Sequence, residues 1–246
     1  MITAKLSKGV SVMKKWMRLS LIVILMAGCQ PATPSSEMEV DWVDFIKWDG
    51  KEYTGINNGA LADEQYIGEQ IGTVKFRVAD NVTNSSYTIK DGDAAFHEKG
   101  TIIFAVEGQE DLIAVKDEQT INGYRVYTAT EGNDYKWHFK DVPLDEVKKV
   151  EIYVAYSPEG SKRIAEVTKI EDILSFLDLL KNSKVDASFQ PNMDNGDPSY
   201  YDIVLHTDES IAYKYVVQFD GVMYTWSPWD TEILSDEIKQ FIPDKQ

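Results

Sequence analysis

Cysteine is almost missing from this chain. Cys29 is its only one, and histidine is nearly as scarce, with His97, His138 and His206 as the whole set. No cysteine follows Cys29, which excludes disulfides, a thiol nucleophile and cysteine metal centres from everything downstream. The histidines stand in no His-Glu-x-x-His arrangement and no Gly-x-Ser-x-Gly occurs, so zinc hydrolysis and serine esterase chemistry have no signature. Gly-x-x-x-x-Gly-Lys and Gly-x-Gly-x-x-Gly are absent too, which argues against nucleotide use. No apolar run approaches the roughly 20 residues that a membrane-spanning helix needs.

Positive charge is also in short supply, with 25 Lys and Arg against 41 Asp and Glu in 246 residues. Five of those bases, Lys5, Lys8, Lys14, Lys15 and Arg18, precede residue 29 and no acid does. The chain from Cys29 onward therefore carries 20 bases against the same 41 acids, a net charge of −21. Such a field repels nucleic acid and favours cations or basic partners.

What the first 29 residues do contain is informative. Lys14, Lys15 and Arg18 precede the apolar run from Leu19 to Ala27, and Gly28 is followed directly by Cys29. A basic region, a short apolar region and small residues before a cleavage point make a secretory signal over 1–28. Met26-Ala27-Gly28-Cys29 resembles the lipobox of bacterial lipoproteins, in which the cysteine thiol accepts a diacylglyceryl group and the new terminus carries two or three acyl chains, palmitate being typical. Two or more chains anchor stably where one does not. The expected localisation is the extracytoplasmic face of the cell membrane, and Met13-Lys14-Lys15 marks a second plausible translation start besides Met1. Residues 29–40, rich in Pro and Ser, read as a flexible tether.

Two domains are expected beyond it. The first, over 41–135, is a small mostly-β domain. Trp42–Trp48, Asp49-Gly50 and Lys51–Gly55 read as a hairpin. Further short strands are expected at Ile71–Val78, Tyr87–Ile89, Thr101–Val106, Leu112–Val115 and Tyr124–Tyr127, with turns at Asp91-Gly92, Glu107-Gly108 and Asn122-Gly123. After a break at 131–134, a second domain over 148–243 reads β-β-α-β-β-β-α. Its first helix is predicted over 169–181, with Thr168 and Glu171 at capping-box spacing and Ile173, Leu174, Leu177 and Leu180 on one face. Asp220-Gly221 turns the last strands, and Ser235 caps a final helix bearing Ile238, Phe241 and Ile242. The fold class expected is α+β, with two helices on an antiparallel sheet.

The helix string Ile170–Asn182, the strand Tyr201–His206 and the closing run Leu234–Ile242 together make the 148–243 region resemble the YhfM-like domain of small Gram-positive lipoproteins. Phe45–Tyr53 and Ile67–Val74 resemble a module of other uncharacterised extracytoplasmic proteins of bacilli. That resemblance implies a location and no mechanism, and brings no site residue with it.

Three strings could carry chemistry. Trp226-Ser-Pro-Trp229-Asp230 could present aromatic rings to a sugar or peptide, or could cover the edge of the core. Asp194, Asn195, Asp197 and Asp202 are hard oxygen donors for a cation, but equally the residues of any exposed turn; Asp91, Asp93 and Glu98 make a weaker cluster of the same kind. His97 is expected on a loop surface, His138 beside Trp137 and Phe139, and His206 at a strand end. With no cofactor, metal or catalytic set to name, the reading is a non-enzymatic lipoprotein that binds a protein, glycan or cation. The alternatives are a hydrolase working with paired carboxylates and an accessory subunit of an exported complex.

Overall fold

A computed structural model describes residues 41–243 apart from Ser85, 132–134, Glu159 and Asn195. The expected signal peptide and tether, Cys29, Asn195 and most of the break at 131–134 lie outside the described residues.

The first sheet is built from β1 (Phe45–Trp48), β2 (Lys51–Gly55), β4 (Ile67–Thr73), β5 (Phe76–Arg77), β6 (Asp93–Ala94), β7 (Ile102–Val106), β8 (Gln109–Lys116) and β9 (Tyr124–Ala129), with β3 (Gly59–Leu61) set apart from it. Its order is β4-β7-β8-β9-β2-β1-β6-β5. Asp49 and Gly50, at φ 48° and 74°, make the two-residue turn of the first hairpin, because a left-handed pair matches the twist of the flanking strands. The Val74, Phe76, Val78 alternation does not form one long strand. β4 ends at Thr73, and only Phe76 and Arg77 pair, parallel to β6. Tyr87–Ile89 is not a strand either. The Tyr87 hydroxyl donates to buried Asp93 at 2.8 Å, so this segment is held by side chains where a ladder was expected.

The second sheet takes β10 (Lys149–Val154), β11 (Lys162–Val167), β12 (Lys184–Val185), β13 (Ser199–His206), β14 (Ile211–Phe219), β15 (Tyr224–Trp226) and β16 (Glu232–Ile233), in the order β11-β10-β13-β14-β15-β16-β12. β3 joins it from the N-terminal half of the chain: Leu61, Ala60 and Gly59 pair with Ile211, Ala212 and Tyr213. One edge of β14 is thus shared, its first third by β3 and its last third by β15.

The single α-helix among the described residues, α1 (Ile170–Lys181), buries Ile173, Phe176, Leu177 and Leu180 against one face of this sheet. Val150 and Ile152 of β10, Ile203 and Leu205 of β13, and Tyr215 and Val217 of β14 point into the same core. Period-2 alternation sends Glu151, Tyr153, Asp202, Val204, Lys214 and Val216 to the opposite face.

The expected α+β fold is therefore corrected: the chain is mostly β, about 40 % strand against 15 % helical, with two large sheets and one helix instead of two. The final segment supplies the reason. Ser235 does cap it, its Oγ accepting from Glu237 N at 3.3 Å, but Asp236–Gln240 closes as a 3₁₀ turn. Its bonds run from Ile238 N to Ser235 O and from Phe241 N to Ile238 O, each 3.0 Å. With Pro243 so close, the run is too short to repay α-helix nucleation. At α1 the capping box does not form, because Lys169 is the N-cap and makes no side-chain cap bond. Leu174, assigned to the buried face, is 56 % exposed, and Phe176 takes the core position.

Candidate functional site

Above the helix-free face of the second sheet lie two neighbouring cavities of about 290 and 420 Å³. They share Tyr156, Lys214 and Val216 as walls. Their floor is strand: Asp202 of β13 under the first, and Gln218 of β14 with Thr225 of β15 under the second. The roof over the first comes from the other sheet, through Gln119, Thr120 and Arg125. The β10–β11 hairpin closes one end. Ser161 Oγ donates to Gln119 O at 3.1 Å, and Gly160, at φ 88°, lies so close that a Cβ there would meet Glu118 O at 2.9 Å.

Three features separate this groove from a packing gap. The Asp202 side chain is half-buried and makes no hydrogen bond or ion-pair contact with any described residue, and burial pushes its carboxyl pKa up while Lys214 pulls it down. The Gln218 side-chain nitrogen is buried with no partner among the described residues, a cost that native structures seldom leave unrelieved. Tyr156 is held at φ 56°, a left-handed conformation that bulky residues rarely adopt, with 80 % of its surface exposed and its ring edge-on to Tyr200 at 5.3 Å. Strain of this kind persists where surrounding structure enforces it, and it clusters at ligand sites.

The remaining charges nearby are committed. Arg125 reaches Asp44 through Nε at 2.6 Å, and Tyr127, fully buried, donates its hydroxyl to Asp44 Oδ1 at 3.0 Å. His97 Nε2 meets the same hydroxyl at 2.5 Å, and burial lowers the His97 pKa. The hydroxyl proton goes to Asp44, so a neutral His97 completes the chain as the donor. His97 is accordingly a half-buried loop residue bonded into this network, where an open loop surface was expected. Farther along, Glu151 accepts from His206 Nε2 at 2.8 Å, Tyr153 at 2.9 Å, Lys149 at 3.0 Å and Arg163. Burial opposes the charge on Glu151, but hydrogen bonds from His206, Lys149 and Arg163 overcome it and hold the carboxyl far below the usual range.

The tryptophan string divides. Trp226 is a core residue, 2 % exposed, edge-on to Phe139 at 4.7 Å and donating Nε1 to Ser183 Oγ at 3.0 Å. Trp229 is 80 % exposed and touches the His138 ring at 5.7 Å. It sits in the turn whose Ser227 and Thr231 line the second cavity, so it stands near the rim, with exposed Asp230 beside it.

The oxygen cluster is not assembled. Asp194 is exposed in a turn, its backbone N–H donating to Asn192 Oδ1 at 2.8 Å; Asp197 is exposed, and Asp202 faces the groove from a strand. Among the described residues no three His, Cys, Asp or Glu gather where they could hold a metal ion. Asp91 accepts from Gly50 N at 3.0 Å, Asp93 from Tyr87, and Glu98 pairs with Arg77.

Lys214 and Gln218 carry no motif. Their only signal is the β14 alternation, which places two polar residues on the face opposite Tyr215 and Val217. The chain matches no protein-family model, no curated protein and no solved structure.

Proposed function

We propose that this chain is a lipid-anchored extracytoplasmic protein whose folded part binds a small polar ligand, without turning it over, in the groove between β13, β14 and the β10–β11 hairpin. The anchor rests on the Met26–Cys29 string and the basic, apolar residues before it. Among the described residues no helix is long and apolar enough to cross a membrane.

One observation carries the binding reading: among the described residues, the two cavities hold a half-buried carboxylate with no hydrogen bond or ion-pair contact and a buried amide nitrogen with no hydrogen-bond partner. A ligand that supplies the missing partners converts that cost into affinity. The lining suits small-molecule recognition, combining aromatic walls with a few fixed polar groups. Asp202 is the one carboxylate among the described lining residues of the groove, whereas glycoside hydrolysis uses two facing carboxyls about 5–10 Å apart.

Metabolic labelling with an alkyne-tagged palmitate tests the anchor. Wild type should take up label and Cys29→Ser should not; equal labelling of both sinks the anchor assignment. Native mass spectrometry of the full chain taken from its membrane tests the groove. A small molecule should co-purify with wild type and be lost from Gln218→Leu. Turnover of cell-wall fragments or peptides by the purified chain would overturn the non-enzymatic reading.

A further inference from the structure

Resting on the groove reading, we infer that the ligand is a small zwitterion, a free amino acid, its ammonium received by Asp202 and its carboxylate by Lys214. Three charged side chains line the first cavity among the described residues: Arg125, Asp202 and Lys214. Arg125 is taken up by Asp44. The other two point to the same face of the second sheet, since Asp202 stands opposite Val216 and Lys214 opposite Val204 across the β13–β14 ladder. They are therefore diagonal neighbours, with backbones roughly 7–8 Å apart. Neither makes a hydrogen bond or ion-pair contact through its side chain with a described residue.

An acid and a base that close, left uncombined on rigid strands, present a dipole to whatever enters between them. A purely anionic ligand would meet Asp202, and a purely cationic one would meet Lys214. A neutral sugar would give neither half-buried charge a partner of opposite sign in contact with it, which is costly. A molecule that carries both signs close together satisfies the two at once, and an α-amino acid carries its ammonium and carboxylate on one carbon. The 290 Å³ cavity is of a size for one such molecule, at the small end of ligand pockets. Tyr156 and Tyr124 supply apolar wall for its side chain, and Gln119 and Thr120 supply neutral polar groups.

Equilibrium dialysis of the detergent-solubilised full chain against radiolabelled amino acids tests this. At least one of glycine, alanine, leucine and tyrosine should bind. Its N-acetyl derivative and its methyl ester, each lacking one charge, should each bind at least tenfold more weakly to the unaltered protein. Asp202→Asn and Lys214→Met should each cost tenfold or more for the free amino acid. The two modified ligands keep the test sharp even where a variant fails to fold. If N-acetylglucosamine oligomers or another neutral ligand bind, with affinity lost on Gln218→Leu, while amino acids do not, the zwitterion inference falls and the groove reading stands. If an amino acid binds and its ester and N-acetyl derivative bind equally well, the two-charge assignment is wrong. If nothing in the panel binds and nothing co-purifies with the protein, both readings fall together.

Discussion

Tyr156 shows how much one residue can reveal about a site. Its left-handed backbone costs about 1–2 kcal/mol relative to a relaxed residue, and its side chain recovers little of that while 80 % exposed. Tyr156→Gly should leave unfolding free energy within about 1 kcal/mol of wild type, because the strain relieved offsets the lost edge contact with Tyr200. Affinity for the groove ligand should drop at least tenfold. A loss beyond about 2 kcal/mol in urea denaturation would show that Tyr156 holds the fold instead of the ligand. Glu151 makes the opposite case. Its carboxyl is held far below its ordinary pKa of 4.5, so its network contributes stability above pH 4.5 and loses it progressively as pH falls below that value. Glu151→Gln should cost about 3 kcal/mol at pH 7, since it leaves His206, Lys149 and Arg163 facing a neutral amide. The gap between variant and wild type should shrink as the pH is lowered from 4.5 towards 3, and a constant gap would refute the assignment. Neither role is visible in the local sequence. Glu151 has Lys149 and Tyr153 within two positions, but His206 arrives from 55 residues away.

At the scale of elements, what was legible is what is local. The Asp49-Gly50 and Asp220-Gly221 turns could be read because both the dipeptide and the conformation it permits sit in neighbouring residues; Asp220 completes its turn by accepting from Val222 N and Met223 N at 2.9 and 2.8 Å. Helix α1 could be read from its period, within a residue at each end, but the face could not be settled. Ile173, Leu174, Leu177 and Leu180 share a stripe, and Phe176 borders it, so which flank turns inward depends on the sheet beneath. Leu174→Ala should therefore cost less than about 0.5 kcal/mol, as an exposed substitution does. Leu177→Ala should cost about 2–5 kcal/mol, as deletion from a closed core does. Equal costs in chemical denaturation would mean the helix is rotated from the orientation described. The groove was only half legible. In sequence Asp202 is a near neighbour of Asp194 and Asp197, which suggests a turn and a cation. The strand that begins at Ser199 separates it from them and gives it Lys214, twelve residues on, as its true neighbour.

The whole molecule turns on β3. Gly59-Ala60-Leu61 is too short to show alternation, and nothing near it announces a pairing with Ile211–Tyr213, about 150 residues later. The consequence is a core that both halves of the chain build together. Ile56, Leu61, Val106, Leu112 and Val126 pack with Ile211, and Ala60 and Ile121 pack with Tyr153, Val204 and Ala212. Tyr215 adds a buried hydrogen bond to Trp137 O at 3.1 Å. Residues 148–243 expressed alone would leave the first third of the β14 edge unpaired and strip the cover from Ile211, Ala212 and Val204. An open edge with apolar neighbours is a template for aggregation. Such a fragment should fail to give a cooperative thermal transition, whereas the whole chain should unfold in one step. Trp48 lies in the first sheet and Trp226 in the second, so full-length variants that keep only Trp48 or only Trp226, with the other tryptophans replaced by Phe, report on different halves by fluorescence. Coincident urea midpoints for the two, each corrected for its own loss of stability, are expected for a single cooperative unit. Midpoints separated by more than the difference in stability would show that the two sheets unfold independently, and the groove they enclose would then be lost with the less stable sheet.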